Sequence, residues 1–493
     1  MNQSASKSSL QVLFGSFTGK LINLVVLLLA TPILGPEGFG QLLIVGVILG
    51  VFNTIIDIGF EGYYIFKVRL DGTEKNSVEE IKLIEDIVFT LRLYTNLILF
   101  ILQIGVSYLG KDYLFSTPVD TYLRILSLNY LLNIFGAINE VRLKKRMEFK
   151  TVTRSKVFGD VFGAAVKLFF VYIGFGIIGW AYGLVASTLA TTAVLIMSSN
   201  YRPNLITIPA AWRKEVMWYA KHSWVAGLGQ YLDKQIGNII LNFYFPLKQV
   251  GYIQFSNSYA LDIQASLLTS QISVLFPYYA NFQHDRARLR RGINQFLEAA
   301  FFIFGFPAIF GMIFGQDIIR IFFGDKWLPA YPIFGMYCAN ALLRVVFTPC
   351  LIVLTSLGKM KEGTIVTYIN FTICTIALLV IGFFTRNIYW YAFVFVVVDL
   401  VKAAIKSIWG LRFLKISLMA LLIDVKNTLI CLLSTFVIVC GLFFLFPADN
   451  ILHISICFVL SGLAFISLQY LLNRKVYSMF YEKVTLFLPR FKK

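Results

Sequence analysis

Hydrophobic residues are gathered into about fourteen long runs, separated by short polar segments, along nearly all of the 493 residues. Each run is long enough to cross a bilayer, because a hydrocarbon core of roughly 30 Å needs about 20 apolar residues per helix. Runs such as 21–29 and 393–398 lack the alternation of polar and apolar positions that marks a barrel strand. Backbone groups inside a bilayer must be bonded within helices or a closed barrel. The pattern therefore predicts an all-α integral membrane protein.

The apolar runs predict about fourteen transmembrane helices whose first and second halves resemble each other. Similar helix ends recur at an offset of about 210 residues, for example at 34–40 and 245–251. Six spans separate the matching positions, so the halves would share one orientation as a parallel pseudo-repeat. The predicted spans are 12–33, 41–61, 87–109, 119–140, 156–174, 177–197, 221–245, 250–276, 292–315, 329–356, 364–384, 388–411, 427–446 and 451–472.

This repeat predicts the division of the chain into domains. We expect an N-lobe of six helices in residues 1–213 and a C-lobe of six helices in residues 214–420. Residues 421–493 then hold two extra helices and a basic amphipathic tail. A tail that alternates basic and aromatic residues is expected to lie on the anionic inner leaflet.

The net charge of +18 indicates topology rather than a nucleic-acid partner. With the N-terminus in the cytoplasm, the inside segments hold 31 Lys and Arg residues, counting Lys156 and Lys221 at the inner ends of spans. The outside loops hold only five. Such a bias across many loops predicts that both termini are cytoplasmic.

No sequence motif predicts catalysis or a cofactor. The chain has no Walker A motif and no HExxH, and its three histidines are far apart. A formal GxGxxG at 174–179 lies between two predicted helices with no preceding strand, so it lacks the context of a dinucleotide site. We therefore expect no enzyme activity, no cofactor and no metal site. Any transport would draw on a coupling ion, H⁺ or Na⁺, or on the gradient of the substrate itself.

Charged residues deep inside the predicted spans are the main chemical signal. A charge at mid-bilayer costs about 2.5–3.5 kcal/mol, so it normally faces a cavity or a partner. Lys20 lies roughly 12 Å into the first span, on a polar stripe with Ser16 and Asn23. Arg92 lies nearer an inner helix end, where its long side chain can instead extend to the interface. The deep set is Lys20, Asp233, Lys234, Asp262, Arg344, Asp399 and Lys402.

These charges predict a wet crevice between the two halves of the chain. In a low-dielectric cleft, cations favour an anionic group such as a phosphate. The neighbouring charges could carry a coupling ion, could balance the cations, or could form ion pairs that only lock the bundle, as Asp399 and Lys402 could three residues apart. The candidates for substrate binding are Lys20, Lys234, Arg344 and Arg92, and those for ion coupling or charge balance are Asp57, Asp233, Asp262, Asp399 and Lys402.

Short motifs at several helix ends, in one order along residues 10–385, resemble a known family. The exit of the first helix at 30–40 reads ATPILGPEGFG, and further motifs lie at 52–62, 146–149, 174–176, 231–234, 250–252, 274–277, 323–327 and 357–359. Together they resemble the bacterial polysaccharide flippases of the multidrug/oligosaccharidyl-lipid/polysaccharide exporter (MOP) superfamily. The chain departs from the signature at Thr31, where that family commonly has a basic residue.

The resemblance implies two six-helix lobes around a central cavity in the bacterial inner membrane. Members of the family move undecaprenyl-diphosphate-linked oligosaccharide units to the periplasmic leaflet by alternating access, for surface polysaccharide assembly. Lys20 and Lys234 would then line the cavity and meet the diphosphate or acidic sugars. The implied partners are the lipid-linked oligosaccharide, anionic lipids of the inner leaflet, and the polysaccharide polymerase and export machinery.

Three alternatives remain open at this point. Two belong to the same superfamily, namely a cation-coupled multidrug exporter and a flippase for the peptidoglycan lipid precursor. The third is a membrane enzyme that polymerises or ligates glycans. Such enzymes usually carry a large outside loop with catalytic residues, whereas every predicted outside loop here is short.

Overall fold

A computed structural model describes most of the chain as helices. The described residues are 3–56, 60, 64, 67–68, 77–110, 117–199, 201, 203–265, 268, 275, 278–279, 282, 285–357, 359–446, 450–474 and 478.

The chain forms two compact units, Met1–Ile239 and Ile240–Lys493. The first unit is built of long helices, the last of which runs across the unit boundary. They are α1 (Gln3–Ile56), α2 (Val78–Gly110), α3 (Thr117–Lys145), α4 (Phe149–Phe170), α5 (Gly176–Ser199) and α6 (Ala210–Tyr244).

The second unit continues with both long and short helices. A π-helical segment, Asn257–Asp262, follows the first of them. The helices are α7 (Leu247–Ser256), α8 (Arg286–Ile313), α9 (Gly315–Phe323), α10 (Tyr331–Arg344), α11 (Val353–Ser356), α12 (Met360–Phe384), α13 (Ile388–Leu414), α14 (Leu418–Asp424), α15 (Lys426–Leu445) and α16 (Ile451–Leu472).

The chain is an all-α integral membrane protein, as the hydrophobic pattern predicts. Within the described ranges, eight helical stretches are long and apolar enough to cross a membrane. One of them, Thr18–Ile56, overlaps the predicted spans 12–33 and 41–61, and another, Phe149–Ser199, contains the predicted spans 156–174 and 177–197. Helix α3 falls outside the eight because inward-facing polar residues such as Asn139 lower its hydrophobicity. The predicted number of fourteen spans is therefore not confirmed.

Glycines with positive φ break the two longest helical stretches where the sequence predicts helix ends. Gly35 has φ 66° within α1 and lies between Pro32 and Pro36. Gly174 has φ 95° between α4 and α5, and Gly176, the first residue of α5, has φ 54°. An L side chain is strained in this region of backbone conformation, whereas glycine is not. The formal GxGxxG thus lies in a helix–helix turn, as its context predicts.

Helices α4 and α5 approach each other through small residues, which lets their backbones come close. A Cβ atom on Gly163 would lie 2.5 Å from the Cβ of Ser187 and 2.6 Å from the carbonyl oxygen of Gly183. Gly159 faces α5 in the same way, because its Cβ would lie 2.7 Å from the carbonyl oxygen of Ser187. These contacts hold the polar side chains of α5 close to α4.

We expect Gly163→Val to destabilise the protein by about 1–3 kcal/mol or more, because backbone atoms of α5 would have to move. The measurement is the folded fraction that remains after heating, read by size-exclusion chromatography in detergent. Gly105→Ala in α2 is the matched control, since nothing lies within 4 Å of the added methyl group. The control should melt at or slightly above the wild-type temperature. A Gly163→Val protein that melts like the wild type would contradict the close contact of α4 with α5.

In the second unit, the two helices predicted as additions pack against α8. Phe306 of α8 contacts Phe458 of α16, with ring centroids 4.9 Å apart. Gly305 of α8 lies directly against the side chain of Leu432 in α15, where a Cβ would have no room. Aromatic pairs of this kind add to the burial of apolar surface. Helices α15 and α16 are therefore part of the core of this unit.

Candidate functional site

The first unit contains a polar cavity of about 440 Å³ among helices α1 to α5. Four short side chains of α5 supply hydroxyl groups, and α2, α3 and α4 supply charged groups. The lining residues are Asn53, Ile56, Arg92, Asn133, Gly136, Ala137, Glu140, Lys156, Ser187, Thr188, Thr191, Thr192 and Leu195.

Arg92 is the most buried charged side chain in this lining. It is only 6% exposed, although it lies within a helix that the sequence predicts to start at residue 87. An arginine that extended to the interface would be largely exposed. Its burial beside the cavity therefore favours a role inside the protein over extension to the membrane surface.

A carboxylate bridges two lysines at the edge of the cavity. The Oε1 atom of Glu140 lies 2.6 Å from the Nζ atom of Lys156 and 2.8 Å from that of Lys144. Lys156 is on α4 and Glu140 is on α3, so the pair ties two walls of the cavity together. The lining thus holds two cations and one carboxylate, together with hydroxyl and amide groups. Such a set can bind an anionic group and hydrogen-bond to sugars.

Close helix packing places the hydroxyl groups of α5 at the cavity. A Cβ on Gly136 of α3 would lie 2.8 Å from the Oγ1 atom of Thr192. Gly136 therefore lets α3 approach α5 near the cavity. The small residues of α3, α4 and α5 leave space that polar groups line, where large residues would fill it.

A buried ion pair joins the ends of α2 and α3. The Nε atom of Arg142 donates to the Oε1 atom of Glu85 at 2.7 Å, and the two side chains are 11% and 5% exposed. The hydroxyl of Tyr64 donates to the same carboxylate oxygen at 3.0 Å. Arg142 also donates to the carbonyl and hydroxyl oxygens of Ser199, at 3.2 Å each. Four segments far apart in sequence meet at one carboxylate and one guanidinium.

The neighbouring carboxylate, Asp86, anchors the segment that follows α5. Its Oδ1 atom accepts a hydrogen bond of 2.7 Å from the hydroxyl of Tyr201 and one of 3.1 Å from the backbone N–H of Asn204. Burial raises the pKa of Tyr201 above its ordinary value, and the hydrogen bond to Asp86 raises it further. Burial likewise raises the pKa of Tyr64, and the charge of Glu85 adds to the rise. Both phenols therefore stay protonated and remain donors at neutral pH.

Two predicted lysines lie in the first unit, apart from the residues described as lining the cavity. Lys20 is half-buried in α1, and its neighbour Gly19 lies against the carboxylate of Asp160 in α4. Lys234 is exposed on α6 and follows Asp233, which is half-buried. The hydroxyl of Tyr231 donates to the carbonyl oxygen of Val47, so this part of α6 packs on α1. The roles of Lys20, Lys234 and Asp233 stay predictions.

Two other predicted residues meet directly in the second unit. The Nη1 atom of Arg344 in α10 lies 3.1 Å from the Oδ2 atom of Asp399 in α13. Asn340 donates to the same carboxylate oxygen at 3.1 Å. The side chains of Arg344 and Asp399 are 37% and 21% exposed. Their contact shows that α10 and α13 are joined by a charge pair, while a role in binding or coupling stays a prediction.

The remaining predicted residues have separate surroundings. The backbone carbonyl of Lys402 accepts a hydrogen bond from Asn370. Asp262 is exposed at the end of the π-helical segment, where Asn257 donates to it at 3.2 Å. Asp57 lies outside the described residues. In the part of the chain that the structure describes, no three His, Cys, Asp or Glu side chains are grouped so as to hold a metal ion.

Sequence reasoning missed the acidic members of this region. Glu85 and Asp86 are adjacent carboxylates directly before a predicted span, and Glu140 is the last residue of another. Acidic residues at inner helix ends are less common than basic ones, so their presence there is the sequence signal that could have identified these three carboxylates. The sequence pattern identifies Lys156 and Arg142 only as basic residues that set topology. Their partners lie on other helices, and no sequence spacing points to them.

Comparison with solved structures identifies the fold. The lipid II flippase MurJ in an inward closed conformation matches with a TM-score of 0.71 and 14% identity, over 95% of this chain and 99% of that one. A multidrug resistance MATE family transporter of the MOP superfamily, in an inward-facing conformation, matches with a TM-score of 0.64 and 13% identity, over 83% of this chain and 98% of that one. The chain is thus a polytopic helical membrane protein with the fold that these two solved structures share.

Residues 29–332 match the polysaccharide biosynthesis protein family, and the chain belongs to this family. The succinoglycan biosynthesis transport protein ExoT of Rhizobium meliloti is 23% identical over 359 residues, which cover 71% of this chain and 68% of that protein. The family resemblance carried by the ordered motifs is therefore confirmed.

Proposed function

We propose that this protein is a flippase that moves undecaprenyl-diphosphate-linked oligosaccharide units across the bacterial inner membrane for surface polysaccharide assembly. The observation that carries the proposal is the polar cavity with buried Arg92 in a member of the polysaccharide biosynthesis family. The relative ExoT is named as a transport protein for succinoglycan biosynthesis, which supports cargo of this class.

The chemistry of the cavity suits the head of such a cargo. A diphosphate needs cations, and a guanidinium binds phosphate oxygens in a planar, two-point geometry. Sugars need hydrogen-bonding groups, which the hydroxyls of α5 and the amides of Asn53 and Asn133 offer. The polyprenyl tail is as apolar as the bilayer and would stay in it. Movement would occur by alternating access, so that the cargo crosses without chemical change and the protein acts as a transporter rather than as an enzyme.

The proposed orientation follows from the distribution of basic residues. Both termini would be cytoplasmic, which places Arg142 and the first turn of α8 on the cytoplasmic side. The cargo would enter from that side and leave on the periplasmic side. Uphill movement would be coupled to H⁺ or Na⁺, and Asp233, Asp262 and Asp399 remain the described candidates for the coupling site. The polysaccharide polymerase and export machinery would receive the cargo.

A reconstituted transport assay tests this proposal. Full-length protein is placed in liposomes together with a polyprenyl-diphosphate oligosaccharide that carries a fluorescent sugar. A membrane-impermeant glycosidase then reports the fraction in the outer leaflet over time, and mass spectrometry checks that the protected lipid is unchanged. We expect protein-dependent movement that is absent from protein-free liposomes. No movement of this cargo would overturn the proposal.

The same liposomes separate the two related functions. The fold is shared with a lipid II flippase and a multidrug transporter, so both cargoes belong in the comparison. Movement of the peptidoglycan lipid precursor that is faster than movement of the polyprenyl-diphosphate oligosaccharide would favour a flippase for that precursor. Uptake or release of a cationic dye without movement of either lipid would favour a multidrug exporter.

The predicted lysines are tested in the same assay. We expect Lys20→Ala combined with Lys234→Ala to slow transport at least about tenfold, because the diphosphate would lose a charge-assisted contact at each position. Lys150→Ala combined with Lys214→Ala is the control, since both lysines are exposed and lie outside the predicted spans. Equal transport rates for the two double variants would show that Lys20 and Lys234 do not bind the cargo.

A further inference from the structure

The second unit contains a separate basic pocket of about 550 Å³. It lies where the first turns of α8 meet the link between α13 and α14, away from the charge pair of Arg344 and Asp399. The lining residues are Arg286, Ala287, Arg290, Arg291, Asn294, Lys415, Ile416, Ser417, Ala420 and Asp424. Four of these side chains are cationic and one is anionic.

One arginine of this pocket serves as a clamp. Arg290 binds Asp424 through two hydrogen bonds, from Nε to Oδ2 at 2.6 Å and from Nη2 to Oδ1 at 2.7 Å. Asn294 donates to the same carboxylate. The hydrogen bond from Arg290 holds the pKa of Asp424 below its ordinary value, so this carboxyl stays charged at neutral pH. The clamp fixes α14 against α8 and neutralises Arg290.

The other three cations leave a positive pocket. Arg286, Arg291 and Lys415 are exposed, and within the described residues none of them has an ion-pair partner. Arg291 donates a 3.3 Å hydrogen bond to the carbonyl oxygen of Ala287, one turn earlier in α8. Lys415 lies in the left-handed conformation that ends α13, with φ 54°. The pocket therefore offers three cations to an anion that can reach it.

Exposed apolar residues border the pocket and indicate whether its anion belongs to a membrane lipid or to a soluble molecule. Met419 and Ile423 of α14 are 66% and 56% exposed and lie one helical turn apart on the same face. The opposite face is buried through Leu421, which is 0% exposed. A short helix with apolar side chains outward, beside cations and next to two membrane helices, is suited to the boundary between headgroups and acyl chains. A soluble anion would give no reason for this apolar face.

We propose that this pocket binds the phosphate of an anionic phospholipid, such as phosphatidylglycerol, at the cytoplasmic surface of the membrane. Arg286, Arg291 and Lys415 contact the phosphate, while Met419 and Ile423 lie among the upper parts of the acyl chains. The clamp of Arg290 and Asp424 holds α14 in place for this contact. The inference does not depend on which cargo the protein moves.

Direct binding to the purified full-length protein tests the proposal. The probe is phosphatidylglycerol with a fluorescent acyl chain, and its anisotropy in mixed micelles gives an apparent Kd. We expect Arg291→Gln combined with Lys415→Asn to raise the Kd about 30-fold. Asparagine is chosen at 415 because it tolerates the left-handed conformation. Arg286→Gln alone should raise the Kd about fivefold and leaves the clamp and the helix end unchanged.

The matched control is Arg288→Gln combined with Lys426→Gln. It removes one charge from the first turn of α8 and one from the start of α15, but neither residue lines the pocket, and Arg288 is paired with Asp285. This control should change the Kd by less than about twofold, because exposed charges outside the pocket are screened. If it weakens binding as much as the pocket variants do, the attraction is diffuse and the proposal is wrong.

Two further arms distinguish the source of the phosphate. A phosphatidylcholine probe should bind much more weakly than phosphatidylglycerol, and equal binding would overturn the proposal. Glycerol phosphate and inorganic phosphate should displace the lipid probe only at far higher concentrations. Displacement at concentrations equal to the lipid Kd would instead assign the pocket to a soluble phosphate. Because no transport is measured, these results are independent of the outcome of the flippase assay.

Discussion

Replacing Arg92 by glutamine should slow transport of the lipid-linked oligosaccharide about 100-fold, because a buried cation lining the cavity would be lost. The side chain is 6% exposed, and the second cation of the described lining, Lys156, is paired with Glu140. Glutamine keeps much of the stem and two hydrogen-bond donors, so the change tests the charge itself. The measurement is the initial rate of protection from the glycosidase in liposomes.

Two comparisons make the Arg92 result interpretable. Arg92→Lys keeps the charge but loses the planar fork, so it should recover part of the rate. Arg154→Gln removes a charge from an exposed position of α4 and should leave the rate within about twofold. Thermal unfolding of each variant is measured alongside. If Arg92→Gln lost stability in proportion to its rate, Arg92 would be a structural residue, and the proposed role in binding would be wrong.

Glu85→Ala should lower the free energy of unfolding by about 3–5 kcal/mol, because it leaves Arg142 buried without its carboxylate. The two side chains are 5% and 11% exposed and meet at 2.7 Å. Tyr64 would lose its acceptor as well. The measurement is equilibrium unfolding of the purified protein in mixed micelles. Glu79→Ala, in the first turn of the same helix and exposed, should change stability by less than about 0.5 kcal/mol.

The double variant Glu85→Ala, Arg142→Ala identifies the cause of that loss. If the main cost is an unpaired buried charge, removing both partners should cost less than the sum of the single changes. Strict additivity would show that the two residues act independently and would contradict the pair as the brace of α2 and α3. Transport by Glu85→Ala protein that remains folded should be near normal, because Glu85 does not line the cavity.

The variants Arg92→Gln and Glu85→Ala separate a role in cargo binding from a role in stability. Arg92 and Glu85 lie two turns apart on α2, and both are buried. The first is expected to affect rate far more than stability, and the second to affect stability far more than rate. A pair of residues on one helix with opposite effects would show that the cavity and its brace are distinct parts of the unit.

The linear sequence predicted the helices and their breaks well, because these depend on local properties. Long apolar runs form membrane helices wherever they occur, and Gly35 and Gly174 end helices because their backbone conformations suit glycine. The number of spans was harder to predict. Helix α3 carries inward-facing polar residues that make it less apolar than a helix surrounded by lipid, and its neighbours decide whether those residues are tolerated.

The candidate site was predicted only in part. Depth along a span singled out Lys20 and Lys234, yet depth alone does not show which face of a helix meets a cavity. The position of Arg92 near an inner helix end allows its side chain to extend to the interface, and only the packing of α2 against its neighbours shows that it is buried. Arg344 and Asp399 were both named, but their contact joins residues 55 positions apart.

The sequence by itself determined that this protein is a helical membrane protein, where its helices break, and to which family it belongs. These conclusions depend on hydrophobic length, glycine conformation and ordered motifs, which are local properties of the sequence. Only the tertiary structure decided which charges are brought together. Glu85 meets Arg142 across 57 positions, and Glu140 meets Lys156 across a turn between helices. The physical reason is that a buried charge must find a partner in space, and helix packing, not sequence spacing, sets which partner is within reach.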